Sequence, residues 1–494
     1  MHRSAALGSA LLCACGSAPP TLLPPPFGPD PANPEAARFF FPTGVAIDPT
    51  STWVVVTNAN ADRQYDGGAM YSFRAADFLT YFPPNAAKGT LPLPFPGPHG
   101  ETDSLVGKVI VGNFSGPMVL GGAPTGSGPP LTAYTASRDT NRLNAVALDT
   151  VTGALNCRKG ASFDASTVDC RAGSLDLSRK FNVEGPYGIV AARVQPPGLT
   201  PLSPVDVVLV SSLVPRIDET QSGVVLTSAH LAAVRQDDPS VVLYSTTVTD
   251  RQFGNGVGSG SMVFDDRNRE VILAGCYTRF GSFSAGGDPS TLKCGTLFPA
   301  NTSELRFLSV DAGGSTDASA TRFYSLASQL HAPDITGLAM GDVDATTGLR
   351  SLYVSMRVPD AIARIGLSSD LAFLPIVQSV VTTSSQPAQL LRLLRPAGSP
   401  GTDLVVATAL STFQTSTTAG KLLVLDVARE QIVGQVEGLG DSPFAIAQFP
   451  PQAGDAGAHL VVTMFGSCRI SLIDVPYADP ASASLRANLG SCPK

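Results

Sequence analysis

Two arginines in this chain have the character and the setting to hold an anion. Arg138-Asp139 and Arg357, with Asp360 three residues on, stand just after β-branched and small-residue runs, TAYTAS and SLYVSM, at corresponding points of two similar segments. A guanidinium offers a planar fork of donors that matches a carboxylate or a phosphate. The competing reading is a solvated ion pair of each arginine with its neighbouring Asp139 or Asp360. A second group, Asn58-x-Asn60-x-Asp62 with Asp66, places oxygen side chains at alternate positions, and Asp342-x-Asp344 is a lesser version. Calcium takes six to eight oxygens, and neither run completes the set. Asx turns, in which such side chains bond their own backbone, are the alternative, and no metal is expected.

Other chemistry finds little support. His2, His99, His230, His331 and His459 are scattered, with no zincin, triad or quinoprotein pattern. Gly254-x-Gly256-x-Gly258-x-Gly260 lacks both phosphate-loop spacings and leads into a strand, so it reads as a junction between structural units. No Gly-x-Ser-x-Gly elbow is evident. No catalytic residue is assigned and no cofactor is expected. Six cysteines, Cys157, Cys170, Cys276, Cys294, Cys468 and Cys492, fall as three neighbouring pairs. That pattern favours three local disulfides in an oxidising compartment, although the connectivity stays open. A zinc site would call for a Cys-x-x-Cys pair or a nearby histidine.

Export is the expectation from the N-terminus. MHRSAALGSALLCAC carries Arg3, a short apolar stretch and a cysteine after a small residue. The stretch falls far short of the ~20 residues a spanning helix needs, and its ending resembles a bacterial lipobox. Residues 1–14 are read as a lipoprotein signal peptide, Cys15 as the lipidated residue, and 15–35 as a Pro-rich tether near polyproline II geometry. Localisation follows as lipid-anchored in the cell envelope, at the outer membrane. The lipid would be the only membrane attachment, because no later segment reaches eighteen consecutive apolar residues.

Composition bounds the rest. Of 494 residues, 43 % are hydrophobic and 15 % charged, and the formal net charge is −7. So few charges exclude a coiled coil or a charge-rich disordered chain. An acidic balance without a Lys/Arg run sets nucleic acid aside as a partner.

A repeat sets the architecture. FPTGVAIDPTSTWVVVTNANADRQYDGGAMYSF, from Phe41 to Phe73, has a Pro-x-Gly opening, a short strand, a β-branched strand ending Thr57-Asn58, a polar loop and a third strand. Six further segments repeat the order, with first strands beginning near Met118, Gly188, Ser261, Gly337, Ala388 and Ala445. Spacing of roughly 67 residues exceeds the ~40–50 of a lean propeller blade, so the excess belongs to loops. Seven four-stranded units, none able to bury both faces alone, predict an all-β fold: a single seven-bladed β-propeller over 36–494. Loops after the second strands, 58–68, 212–223, 275–299 and 410–420, should crowd one face, where binding commonly resides.

VVVTN, LYVS and LVVT, each after a Pro- or Gly-containing first strand, resemble the YVTN family of seven-bladed propellers. With the Pro-rich segment and the Cys157-to-Cys170 loop, the chain is similar to large propeller lipoproteins of uncharacterised function from high-GC bacteria such as myxobacteria. The resemblance rests on structural residues and implies fold and envelope location. Two functions are expected from the whole: a binding or protein-interaction scaffold facing an envelope protein or polysaccharide, or a lactonase-like hydrolase or lyase working at the channel mouth. The second rests on analogy of fold alone.

Overall fold

The computed structural model describes residues 22–27, 38–81, 90–91, 105–123, 130–195, 204–213, 216–221, 224–248, 258–276, 303–310, 321–326, 334–396, 401–410 and 420–490. Seven antiparallel sheets follow one another along them. The first holds Pro42–Ile47, Trp53–Asn58, Gly68–Arg74 and Leu105–Val111 in sequence order, and each later sheet keeps the same order. The innermost strands are Pro42–Ile47, Ser115–Gly121, Pro186–Val194, Gly258–Asp265, Asp334–Val343, Gln386–Arg392 and Pro443–Gln448. Each lies beside the next, and the last lies beside the first, so the ring closes. The protein is a seven-bladed β-propeller, with each first strand where the repeat places it.

Several blades depart from four strands. Blade two adds Ser162–Asp164 at its outer edge and Leu175–Asp176 beside its third strand. Blade three carries an inserted hairpin, Arg216–Gln221 with Val224–Ser228, between its second and third strands. Blade seven gains Thr90–Leu91 from blade one, paired in parallel with its outer strand Ser484–Leu489. That pairing and the packing of the inner strands tie the first blade to the last.

The hydrophobic second strands are explained by burial on both faces, which removes the usual in-out alternation. In WVVVTN, Val54 and Val56 pack with Val461, Ile470 and Leu472 of blade seven. Val55 points the other way, into a cluster with Ala133 and Val146 of blade two. The hydroxyl residue ending these strands is structural too. Ser211 Oγ donates to Ser259 O of the next blade at 3.2 Å, and Ser355 Oγ donates to Ala388 O. On the inner strands, Thr43 Oγ1 donates to Ser115 O at 2.7 Å and Thr336 Oγ1 to Pro387 O at 2.8 Å. Buried carbonyls at the seams are thereby satisfied across blades.

Cys157 and Cys170 are disulfide-bonded. Both are buried in the core between blades one and two. Replacing both with alanine is expected to cost about 3 kcal/mol by denaturant unfolding, since a loop of this length then regains its freedom in the unfolded chain. Cys468 is disulfide-bonded as well. The side chains of Cys276, Cys294 and Cys492 lie outside the described residues, as does Cys15.

The Pro-rich segment differs from a free tether over 22–27. Pro24, Pro25 and Pro26 are buried, the Tyr71 hydroxyl donates to Pro25 O, Asp66 N–H donates to Leu22 O at 2.9 Å, and the Lys108 ammonium sits 6.0 Å from the Phe27 ring centroid. A proline run loses little conformational entropy on docking, and its carbonyls find donors on blade one.

Blade seven also holds a charged cluster away from the mouth. Asp474 accepts from Arg486 Nε and Nη2 at 2.8 and 2.6 Å and lies 2.7 Å from His459 Nδ1, while Arg486 Nη1 donates to Leu79 O in the helix Ala75–Tyr81 of blade one. Burial pushes the Asp474 carboxyl up, but the hydrogen bonds and charges of His459 and Arg486 outweigh it and hold the group below its ordinary range. A depressed folded-state pKa means the stabilisation is present above the unfolded value of about 3.9 and is lost as pH falls through the folded one. Asp474→Asn is therefore expected to lower the melting temperature at pH 7 and to flatten its fall below pH 4. An unchanged acid profile would exclude this cluster as a contributor.

Candidate functional site

The starts of the inner strands and the ends of the second strands meet around the channel on one face, as the paired registers Pro42 with Asn58, Ser115 with Ser137, Pro186 with Ser212 and Pro443 with Met464 require. Among the described residues, cavities of about 320 and 250 Å³ open there. Tyr187, Leu213 and Phe444 line both and so form a wall between them. Tyr187 starts the inner strand of blade three and Phe444 that of blade seven; their rings meet edge to face, 6.3 Å apart at 83°. The wall is seated on blade two, where a Cβ on Gly116 would approach the Tyr187 ring to 2.9 Å, so glycine there makes room for it.

Each chamber holds one of the two arginines. Arg357 lines the larger, with Ile335, Thr336 and Gln389 among its neighbours. Arg138 lines the smaller, with Phe114 and Phe465. The Arg138 guanidinium lies 5.3 Å from the Tyr187 ring centroid and 5.8 Å from that of Phe114, a cation-π setting. Its Nε is buried without a hydrogen-bond partner, and among the described residues no carboxylate pairs with it. Burial pushes the Tyr187 hydroxyl well above the usual phenol range, with the charges of Arg138 and Arg357 pulling the other way. Both arginines are thus close enough to one phenol to act on it, and that phenol stays neutral, a donor and not an anion.

Asp139 and Asp360 line neither cavity. Asp139 turns to Asn113 and Thr140 and feels Arg63; burial raises its carboxyl in spite of these partners. Asp360 pairs with Arg357 through backbone register, and burial raises its carboxyl.

The oxygen side chains of the first-blade loop bond to the protein around them, except that Asp66 Oδ1 is buried without a hydrogen-bond partner. Asn58 Oδ1 accepts from Phe40 N–H at 3.1 Å. Asn60 Oδ1 accepts from Tyr65 N–H at 3.2 Å while its amide donates to Tyr65 O and Asn113 Oδ1 at 2.7 and 2.6 Å. Asp62 Oδ1 accepts from Gln64 N–H at 3.2 Å, and Asp66 Oδ2 lies 3.4 Å from Arg171 Nη2. Among the described residues no group of three or more His, Cys, Asp or Glu is placed to hold a metal. Of the four loops expected on this face, 58–68 and the hairpin of blade three begin at the mouth ends of second strands; 277–300 and 411–419 lie outside the described residues.

Sequence reasoning missed Tyr187 and Phe444. The signal was available: they occupy the middle position of the Pro-x-Gly opening and its Pro-Phe-Ala counterpart, where blades one and five carry Thr43 and Thr336. All four of these residues line a cavity at the mouth.

Fold and site together define a β-propeller with a divided aromatic mouth and one arginine in each chamber. No protein-family model and no curated protein matches this chain. Among solved structures it is similar to Sqt1 of Saccharomyces cerevisiae, at 9 % identity and a TM-score of 0.44 over 90 % of this chain and 97 % of that one. A quinohemoprotein alcohol dehydrogenase from Comamonas testosteroni matches at 10 % identity and 0.41, over 92 % and 68 %. A protein from Lactobacillus plantarum matches at 12 % and 0.40, over 82 % and 86 %. Likeness this distant carries nothing about activity.

Proposed function

We propose that this propeller is a binding scaffold of the cell envelope and that its ligand seats at the divided mouth. The observation that carries the reading is the lining itself: aromatic walls and two arginines, with no Asp, Glu, His, Lys or Cys among the described residues that bound either cavity. A concave, mostly apolar surface with a few convergent polar groups is the usual form of a ligand site. Ring-opening hydrolysis or lyase chemistry calls for a general base or a bound metal at the reacting centre; the described lining supplies an electrophilic arginine and a neutral phenol, and neither takes up a proton at neutral pH.

Location in the envelope remains part of the same proposal, with Cys15 as the lipidated residue. Docking of Leu22–Phe27 supports a short reach: seven residues from Cys15 to Leu22 extend at most about 25 Å. Blade one would then ride close to the lipid surface. The test is affinity capture from detergent-solubilised envelope with the full chain and an Arg138→Gln/Arg357→Gln double variant. Species retained by the first and lost by the second support a mouth-bound partner. Equal retention by both, or none by either, sinks the reading.

A further inference from the structure

The two chambers are not equivalent. In the smaller one, the Arg138 guanidinium lies within cation-π distance of Phe114 and Tyr187, and the lining adds Phe444 and Phe465, a stacked pair 6.0 Å apart at 29°. Contact with the rings keeps water from part of the guanidinium, which strengthens whatever it pairs with. The rest of the lining is Leu213 and the small or hydroxylic Thr43, Ala59, Ala61 and Ser115. One forked donor set thus faces an apolar slot of about 250 Å³, at the small end of ligand pockets.

We infer that the Arg138 chamber is a seat for an amphipathic monocarboxylate: a single carboxylate held by the arginine, and a flat apolar body between Phe114 and the Phe444–Phe465 pair. The inference deepens the binding reading above and rests on it. Charge stoichiometry selects the head group. The lining holds one guanidinium, which matches one carboxylate in a bidentate pair; Arg63, 5.1 Å from the Phe114 ring centroid, lies outside the lining, and a phosphate dianion would carry its second charge into apolar walls at a desolvation cost. Ring faces and edges select the body, since offset and edge-to-face contacts reward an aromatic or other planar group.

Calorimetric titration of the full chain tests this with four probes: naphthalene-2-carboxylate, the neutral naphthalene-2-carboxamide, cyclohexanecarboxylate and inorganic phosphate. The expected order is the aromatic carboxylate first, with the amide and phosphate each at least tenfold weaker and the aliphatic acid between. Arg138→Gln should weaken the aromatic carboxylate at least tenfold, with Arg138→Lys recovering part of the loss, while Arg179→Gln, on the exposed helix Ser178–Phe181 and in neither cavity, changes it less than threefold. Thermal melts of each variant show whether the fold is intact. Equal affinity for acid and amide, tighter binding of phosphate, indifference to Arg138→Gln, or no binding of any probe would each overturn the inference. Envelope capture that still depends on the two arginines would then leave the binding scaffold standing with a different ligand.

Discussion

Replacing Arg158 with leucine is expected to cost about 3–5 kcal/mol and to loosen the seam between blades two and three. Arg158 is 2 % exposed, in the fourth strand of blade two, and its charge is neutralised by no ion pair among the described residues. Instead its guanidinium donates to Gln236 O and Asp237 O of blade three, both at 2.7 Å, and to Thr132 Oγ1 at 3.2 Å. Tyr134 shares the site: its hydroxyl donates to the same Gln236 O at 3.1 Å, and burial pushes its pKa up to about 12. Leucine would fill some of the volume but leave Gln236 O with the Tyr134 hydroxyl as its donor and take a charged donor from Asp237 O, each loss worth roughly 1–3 kcal/mol. Lysine, a point charge without the fork, should reach one carbonyl and lose about half as much. Thermal and urea unfolding of the three forms check the order arginine, lysine, leucine. A leucine variant as stable as the parent would show that the seam is held by apolar packing alone.

Valine at Gly337 should be comparably damaging for a different reason. A Cβ there would lie 2.1 Å from Ala388 O and 2.9 Å from Ser355 Oγ, so the inner strands of blades five and six would have to separate. The separation would also strain the bonds from Thr336 and Ser355 that cross this seam. Overpacking that moves backbone costs at least 1–3 kcal/mol, and here an inter-blade contact is lost with it. Gly260 provides the control: a Cβ there meets only Leu213 Cδ1 at 3.3 Å, the end of a movable side chain. Gly260→Ala is expected to change the melting temperature little, and Gly337→Val to lower it steeply and speed proteolysis. Equal effects of the two would refute the steric account.

The same contrast explains what the chain reveals before its structure is seen. Gly44, Gly188 and Gly337 recur because a side chain at each would strike the adjacent blade or a neighbouring hydroxyl. Second strands such as WVVVTN recur because both faces are buried. A ring of seven was therefore legible from repetition alone. Features set by contacts between distant segments were not: the parallel pairing of Thr90–Leu91 with Asn488 and Leu489, the docking of Leu22–Phe27 on blade one, and the hairpin inside blade three.

The candidate site was legible in half. Arg138 and Arg357 stood out because they follow corresponding runs, TAYTAS and SLYVSM, in blades two and five, and topology turns such positions to the mouth. Their aspartates read as partners by proximity in sequence, whereas the structure directs Asp139 to Asn113 and Thr140. Tyr187 and Phe444 looked like ordinary strand residues, because an aromatic at the start of an inner strand is distinguished only by the channel it faces. In the first-blade loop, the alternation that would suit a cation serves backbone N–H groups at Asn58, Asn60 and Asp62, while Asp66 meets Arg171.

The central claim, that the divided mouth is a ligand seat, is tested most directly by a crystal structure of the protein soaked with naphthalene-2-carboxylate. Density is expected in the smaller chamber, with the carboxylate within hydrogen-bonding distance of the Arg138 guanidinium and the rings against Phe465. A chamber that stays empty while the compound occupies other surfaces, or density in the mouth with the carboxylate turned away from Arg138, would contradict it.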